Sequence, residues 1–370
     1  EIRSDGLYEG KITVHSIPEV HKNTDDGYTI SSFSSFGVPD SLDLKPEITS
    51  PGSNVYSTLN DGKYGLSSGT SMAAPSIAGQ SALVQPYIKE NNLADKNDIS
   101  VRTLSQSLMM STAMPLKGNN NPENPEYTPR VQGAGLSNVQ NAISSPAYIL
   151  LGNKENNDGM VKAVLGDDPE KSGCYEFSFD IYNMDVDPQY YVLDSSVLTE
   201  ELMSAGGLKY FMGKSYRLSP SVEFTADDTK LVYDLNDDGK VNGKDRKILL
   251  QYVNGSRSVP LIERNYEYYD FNKDGVISTK DVYLLSRQLK GKAEVADLAL
   301  SVVEVKDSTK VNVKITLSDS DRKYLEGYEN GMYVDGYIYV NGPVPMSVPF
   351  LAFYGNWMDS PMFEDYDYIS

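Results

Sequence analysis

Hydrophobic and polar positions alternate along several stretches in the second half of the chain, with the period of two that is typical of half-buried β-strands. The clearest alternation covers residues 175–181 and 311–317, where aromatic and β-branched side chains are separated by charged or polar ones. Apolar runs at residues 333–340 and 349–354 predict two further strands. We therefore expect an antiparallel β-sandwich in this part of the chain.

The first part of the chain shows apolar residues at helical spacing instead. One predicted helix follows the start of a Gly-Thr-Ser run and buries a face of small side chains, formed by Ile77, Ala78, Ala82 and Leu83. Pro75 is expected in the first turn of this helix, where its missing N–H costs little. A second amphipathic helix is predicted over residues 101–113.

The composition is strongly acidic, with 52 Asp and Glu against 33 Lys and Arg and a net charge of −19. The lack of a basic patch argues against a nucleic-acid partner, and the surplus of carboxylates suits hard cations. No apolar run is long enough to cross a membrane. The single cysteine, Cys174, excludes an intrachain disulfide, and we expect it to be a small buried hydrophobe. Residues 1–4 are not a signal peptide, so we expect the chain to begin within a longer protein.

The run Gly-Thr-Ser-Met-Ala-Ala-Pro at residues 69–75 is the first candidate for chemistry. Gly69 permits a tight turn before the helix, and Ser71 then lies where free N–H groups and the positive end of a helix dipole converge. A Ser-rich loop that caps an ordinary helix is the alternative interpretation. The full seven-residue run with its flanks favours a nucleophile.

This run, followed by Ala78 and Gly79, resembles the serine signature of the subtilisin-like serine proteases. The order of segments around it resembles the cell-envelope type, such as lactocepin and C5a peptidase. The resemblance implies an incomplete α/β catalytic segment in which Ser71 attacks peptide bonds and forms an acyl-enzyme. It also implies that Gly69, Thr70 and the N–H of Ser71 form the backbone half of an oxyanion hole.

The groups that would activate Ser71 are missing from the sequence. In this family the base is a histidine in a His-Gly-Thr motif, held by an upstream aspartate, and neither motif occurs here. The two histidines, His15 and His21, lack that glycine-rich context, and we expect them to be surface residues. The sequence therefore predicts that this chain alone does not cleave peptides. It is either part of an active enzyme or a binding module that lost its catalytic half.

The strands after residue 331 are similar to the fibronectin-like domain that follows the protease in the cell-envelope subtilases, where it packs on the catalytic domain. An aromatic set in this part, formed by Met332, Tyr337, Tyr339 and Trp357, is either a sugar- or peptide-binding surface or part of the packing. We expect packing within the core and between domains.

Two similar twelve-residue segments lie at residues 234–245 and 270–281. Each has oxygen-bearing side chains at positions 1, 3, 5, 9 and 12 and glycine at position 6, which is the EF-hand calcium spacing with Asp at the last position. Position 7 supplies a backbone carbonyl. The predicted ligands of two Ca²⁺ ions are Asp234, Asn236, Asp238, Lys240, Asn242, Asp245, Asp270, Asn272, Asp274, Val276, Ser278 and Asp281.

A helical pattern follows each loop, and little sign of a full helix precedes either one. This arrangement resembles a type I dockerin, a module that binds cohesin domains of scaffolding proteins. The resemblance implies that loop positions 10 and 11 choose the partner, and these are Gly243, Lys244, Thr279 and Lys280. The competing interpretation is calcium-dependent stiffening of the surrounding sandwich, without a partner.

Together these features predict three parts. Residues 1–147 are the C-terminal part of a subtilisin-like catalytic domain, residues 148–228 and 293–370 are a split fibronectin-like sandwich, and residues 229–292 are a small helical calcium insert. The implied protein is an extracellular or cell-surface endopeptidase that acts on protein substrates and docks to a cohesin-type scaffold. A non-catalytic docking and adhesion protein is the alternative.

Overall fold

The computed structural model describes residues 28–38, 42–118, 123–205 and 208–359. The predicted strand at residues 11–14 and both histidines lie outside these ranges. The helices of the described part are α1 (Thr70–Glu90), α2 (Leu93–Lys96), α3 (Val101–Ser111), α4 (Pro129–Gln132), α5 (Val139–Ser144), α6 (Gly243–Val253), α7 (Pro260–Arg264), α8 (Thr279–Gln288) and α9 (Asp319–Leu325).

The strands of the described part belong to a two-stranded hairpin and two larger sheets. They are β1 (Val55–Thr58), β2 (Tyr64–Ser67), β3 (Ala147–Leu150), β4 (Ala163–Asp168), β5 (Cys174–Asn183), β6 (Gln189–Ala205), β7 (Leu208–Arg217), β8 (Ser221–Ala226), β9 (Thr229–Leu231), β10 (Ser301–Val305), β11 (Ser308–Thr316), β12 (Met332–Asn341) and β13 (Met346–Tyr354). All four stretches with a strand pattern in the second half of the sequence are strands in the structure.

The two larger sheets have four and seven strands. The smaller runs in the order β3-β5-β11-β8, and the larger runs β4-β13-β12-β6-β10-β9, with β7 paired to the far end of β6. Neighbouring strands are antiparallel except β4 and β13, which are parallel. This pair departs from the predicted all-antiparallel sheet. More than 170 residues separate the two strands, so no hairpin imposes an antiparallel direction on them.

One hydrophobic core lies between the two sheets and confirms the predicted alternation. Phe179 and Ile181 of β5 and Val313 of β11 face inward, and Phe350 of β13 in the other sheet lies against Phe177 of β5. Tyr337 is fully buried, as expected from packing rather than from a ligand-binding surface.

Cys174 is exposed, contrary to the prediction that it is buried. It is the first residue of β5, and its neighbour Tyr175 takes the inward position of the strand. Because successive side chains of a strand point to opposite faces, Cys174 points outward.

Helix α1 is largely exposed, which also contradicts the sequence-based expectation. Only Val84 and Ile88 are buried, against α3 and α5, whereas Ala78 and Ala82 are exposed and Leu83 is 64% exposed. Helical spacing identified the helix, but the apolar face is not covered by any described residue of this chain.

Pro75 is the sixth residue of α1 and lies beyond the first turn. Its missing N–H therefore removes a hydrogen bond that the carbonyl of Ser71 would otherwise accept, so the helix is weaker at this point than predicted.

Strands β9 and β10 pair with each other at the edge of the larger sheet, and residues 232–300 lie between them. Within this segment α6 packs against α8 around Leu249, Ile262 and Leu285. No helix in the described ranges is both long and apolar enough to cross a membrane.

Candidate functional site

Ser71 is the second residue of α1 and is exposed. Gly69 precedes the helix with φ 151° and ψ 164°, a backbone conformation that glycine adopts at little cost. The first N–H groups of a helix have no intrahelical acceptor, so the N–H groups of Thr70 and Ser71 point out of the helix end. Ser71 thus occupies the predicted position, at an open helix N-terminus.

The turn before Ser71 is held by a close backbone crossing. The N–H of Gly69 donates to the carbonyl of Gly52 at 2.8 Å, and a Cβ on Gly52 would lie 2.8 Å from the carbonyl oxygen of Gly69. Ser50 and Ser76 are joined by their hydroxyls at 2.8 Å one turn further on. Because the Gly69 N–H is already used, the donors available for an oxyanion are those of Thr70 and Ser71.

An open cavity of about 890 Å³ lies beside this helix end. Its walls include residues 28–31, 33–35 and 48–54, Thr70 and Ala74 of α1, and Leu116 and Leu136. The wall is mostly apolar, and it reaches Thr70, which directly precedes Ser71.

No base accompanies Ser71 in the described part of the chain. Its hydroxyl has no side-chain hydrogen-bond partner there, and His15 and His21 lie outside the described residues. A serine hydroxyl is a poor nucleophile until a positioned base removes its proton. The described geometry therefore contains an exposed serine hydroxyl beside free backbone N–H groups, but no base within reach of it among the described residues.

A buried ion pair attaches α4 to strand β12 of the larger sheet, and the sequence analysis did not identify it. Arg130 of α4 is 1% exposed, and its Nε donates to Asp335 of β12 at 2.8 Å. Thr128 donates to the same carboxylate oxygen, and the guanidinium lies 4.1 Å from the ring centroid of Tyr333. Burial lowers the pKa of Arg130, but Asp335 and Glu200 outweigh that effect and raise it.

A second buried carboxylate, Glu126, holds the same segment against β6. Its carboxylate accepts a hydrogen bond from the Ser196 hydroxyl of β6 at 2.6 Å and forms an ion pair with Arg217 of β7 at 3.3 Å. Burial acts to raise the pKa of Glu126, while Ser196, Arg217 and Lys117 lower it, and the net pKa is lowered. Neither carboxylate stands out in the sequence, because its partners are distant: Ser196 and Arg217 lie 70 and 91 residues from Glu126, and Arg130 lies 205 residues from Asp335.

The two predicted calcium loops have nearly the same hydrogen bonds. The carboxylate of Asp234 accepts from the N–H of Gly239 at 2.6 Å, and that of Asp270 accepts from Gly275 at 2.7 Å. These glycines have φ of 78° and 85°, which explains the glycine at position 6 of each loop.

Positions 9 and 12 of each loop also form a helix cap. Asn242 and Ser278 are the N-cap residues of α6 and α8, and each exchanges hydrogen bonds with the Asp three residues later. Those carboxylates, Asp245 and Asp281, are fully buried. The sequence pattern of Asn or Ser followed by Asp at the third position is a capping signal that identifies both helix starts.

The lysines at position 11 of the two loops form ion pairs and are nevertheless exposed to solvent. Lys244 contacts Asp238 at 2.8 Å and Lys280 contacts Asp274 at 3.3 Å, while both side chains remain more than 70% exposed. Gly243 and Thr279, at position 10, are exposed beside them. The four residues therefore lie at accessible helix ends.

The loops offer the oxygen donors that Ca²⁺ prefers, and one of those donors is unpaired. Asn236 Oδ1, at position 3 of the first loop, is buried without a hydrogen-bond partner. Across the described ranges, however, no group of three or more His, Cys, Asp or Glu side chains is arranged to hold a metal ion. The loop carboxylates instead accept backbone N–H groups and lysine contacts. The donor types of both loops nevertheless fit calcium.

Comparisons with known proteins match the same two regions. Residues 1–138 match the Subtilase family, and residues 226–290 match the Dockerin type I domain. C5a peptidase of Streptococcus pyogenes is 29% identical over 244 residues, which are 65% of this chain and 19% of that protein. The PII-type proteinase of Lacticaseibacillus paracasei is 39% identical over 141 residues, which are 36% of this chain and 7% of that protein.

The PIII-type proteinase of Lactococcus lactis subsp. cremoris is 37% identical over 141 residues, again 36% of this chain and 7% of that protein. The chain thus spans a fifth or less of the length of these relatives. A solved family 123 glycoside hydrolase from Clostridium perfringens aligns over 57% of this chain and 28% of that one, at 8% sequence identity. The TM-score of 0.26 is too low to indicate a common fold. The chain contains a peptidase S8 region of the subtilase family together with a type I dockerin domain.

Proposed function

We propose that this chain is part of an extracellular or cell-surface subtilisin-like endopeptidase, with Ser71 as its nucleophile. The observation that carries the proposal is the exposed Ser71 at the open end of α1, directly after the Gly69 turn. The match of residues 1–138 to the Subtilase family and the names of the proteinase relatives support the same reaction class.

In the proposed reaction the Ser71 hydroxyl oxygen attacks the carbonyl carbon of a peptide, and its proton passes to a base supplied from outside the described residues. The N–H groups of Thr70 and Ser71 donate to the oxyanion that forms. The amine leaves with that proton, and water then hydrolyses the ester on Ser71. Without the base, we expect the chain by itself to be inactive.

An active-site probe tests this assignment. In the longer protein that contains this sequence, a fluorophosphonate should label the wild type and the control Ser57→Ala, but not Ser71→Ala. Ser57 is exposed on the β1–β2 hairpin, so the control changes a similar hydroxyl outside the proposed site. Casein hydrolysis by the isolated 370-residue chain, lost in Ser71→Ala, would contradict the proposed inactivity.

We propose further that the loops at residues 234–245 and 270–281 each bind one Ca²⁺ through the predicted ligands. The twin hydrogen-bond patterns, the all-oxygen donor sets and the unpaired Asn236 Oδ1 support this. When bound, the ion supplies charge neutralisation to each loop and folding energy to the insert. Far-ultraviolet circular dichroism with chelator should show loss of helix, restored by calcium, and an unchanged spectrum would argue against calcium loops.

The exposed residues Gly243, Lys244, Thr279 and Lys280 are proposed to contact a cohesin-type scaffold. Their support is the match to the Dockerin type I domain and their position at two accessible helix ends. The two pairs differ at position 10, so the two faces are not expected to bind equivalently, and both are changed together. We expect the double variant Lys244→Glu/Lys280→Glu, which reverses the charge at position 11 of each loop, to weaken capture of a cohesin. Lys247→Glu, on the exposed side of α6, is the matched control. Equal capture by all variants would exclude these contacts.

The sandwich is proposed to be fibronectin-like and to support the catalytic region, with the domain boundaries predicted from the sequence. A non-catalytic docking protein is the second candidate, whereas the retained Ser71 favours the enzyme. The sequence of the longer protein discriminates between them. A His-Gly-Thr motif and an upstream Asp motif favour the enzyme, and their loss favours the docking protein.

A further inference from the structure

Residues 232–300, the stretch between β9 and β10 that holds both proposed calcium loops, are attached to the larger sheet by much more than their two chain ends; this stretch is called the insert below. Its hydrophobic core includes Val192 of β6 and Val302 of β10, both buried, together with Leu249 and Tyr269 of the insert. A module that folds alone would bury its apolar residues among themselves, whereas this one completes its core with sheet residues.

A polar bridge joins α7 of the insert to the start of β6. The guanidinium of Arg264 donates to Gln189 at 2.5 Å and lies 3.3 Å from Asp187 and 3.6 Å from Asp185. Because Gln189 is fully buried, its hydrogen bond with Arg264 is shielded from solvent, unlike an ion pair on the protein surface.

A second bridge reaches the first calcium loop itself. Lys230 of β9 contacts Asp237, at position 4 of the loop, at 2.9 Å, and Glu304 of β10 at 3.1 Å. Glu304 is buried and also accepts from the Tyr190 hydroxyl of β6 at 3.1 Å. The equivalent position of the second loop is Lys273, so only the first loop has this carboxylate available for Lys230.

We infer that residues 232–300 fold as part of the sandwich edge, and that calcium loading of the insert therefore stabilises strands β9 and β10 and the start of β6. The inference rests on the proposed calcium function. It implies that the exposed docking residues are held in one fixed orientation relative to the sandwich, unlike a dockerin on a flexible tether. The sheet edge and the insert form one cooperative unit, because unfolding of either one would expose the buried core residues of the other to water.

Hydrogen–deuterium exchange of the 370-residue chain, with calcium and with chelator, tests the inference. We expect chelation to speed exchange in α6 and α8 and, together with them, in residues 189–192 and 301–305, by at least about tenfold. Strands β5 and β11 of the smaller sheet should change little. If the insert helices lose protection while residues 189–192 and 301–305 keep it, the insert is an independent module and the inference is wrong.

Two variants separate this inference from the calcium proposal. Leu249→Ala opens the shared core from the α6 side, and it should speed exchange in β10 as well as in α6 whether or not calcium binds. Val313→Ala in β11 is the matched control, expected to affect the smaller sheet and not α6. If chelation changes nothing but Leu249→Ala still loosens β10, the calcium proposal fails and the shared fold stands. If Leu249→Ala loosens α6 alone, the shared fold fails.

Discussion

At the residue scale, Arg130 shows how one buried charge joins two parts of the chain. Its guanidinium contacts Asp335 and Glu200 and lies over the ring of Tyr333, all three of them in the sandwich. Its Nη2 and the Oδ1 of Asp335 have no hydrogen-bond partner, so the pair is not fully satisfied. Such a pair contributes little net stability but is costly to break on one side.

Replacement of Arg130 by Met is expected to lower the free energy of unfolding by about 3–5 kcal/mol, because Asp335 is left buried without a counter-charge. Urea unfolding followed by tyrosine and tryptophan fluorescence measures the change. Arg102→Met, at an exposed position of α3, is the control and should stay within about 0.5 kcal/mol. A loss below about 1 kcal/mol for Arg130→Met would show that the pair does not fasten the two parts.

Gly133 offers a second test at this scale, because the chain crosses residues 46 and 47 with no room for a side chain. Its φ is 59°, and a Cβ there would lie 2.3 Å from the carbonyl of Glu47. Gly133→Ala should therefore cost clearly more than the roughly 1–2 kcal/mol of a left-handed backbone alone. Gly152→Ala, with φ 81° but open space, measures that backbone cost. If Gly133→Ala and Gly152→Ala lower the free energy of unfolding equally in thermal unfolding, a side chain at position 133 does not collide with Glu47.

At the scale of elements, the sequence pattern of α1 identified the helix but did not predict which of its faces is buried. Residues 70–90 form one continuous helix despite Pro75 and Pro86. Packing from α3 and α5 covers only the side that holds Val84 and Ile88. In contrast, β12 and β13 are covered on both sides, by the smaller sheet and by α4.

Two alanine substitutions in α1 should therefore differ sharply. Ile88→Ala removes a fully buried side chain and should cost about 2–5 kcal/mol, whereas Leu83→Ala should lie within about 0.5 kcal/mol. Chemical unfolding of the isolated chain provides both values. A large loss for Leu83→Ala would mean that its face is covered in solution.

At the scale of the whole molecule, the first region, the sandwich and the insert are joined through shared cores and buried carboxylates. Met110 and Ala134 of the first region lie in the same core as the sandwich strands. Glu126 fastens the first region to β6, and Glu304 lies where the insert meets β10. The stability of the whole chain should therefore depend on these carboxylates being ionised.

Acidification should weaken both junctions. Burial acts to raise the pKa of Glu126 and of Glu304, but Ser196 and Lys230 respectively, with neighbouring cations, lower both values below 4.5. A carboxylate with a lowered pKa in the folded state stabilises the protein above its unfolded pKa, and that contribution is lost as the pH falls through the folded value. We expect the melting temperature to fall below about pH 4.5, and Glu126→Gln to flatten this dependence. An unchanged pH profile for Glu126→Gln would exclude its role.

The sequence by itself determined the local elements and the local chemistry. Period-two alternation identified β5 and β11, helical spacing identified α1 and α3, and the run at residues 69–75 placed Ser71 at a helix start, because each signal depends on residues close together in the chain. The repeated loops and their capping residues were equally local. Only the tertiary structure decided that Cys174 is exposed, that β4 is parallel to β13, that Arg130 meets Asp335, and that the insert shares a core with β6 and β10. These outcomes depend on contacts between residues far apart in sequence, and neither spacing nor composition encodes which distant surfaces meet.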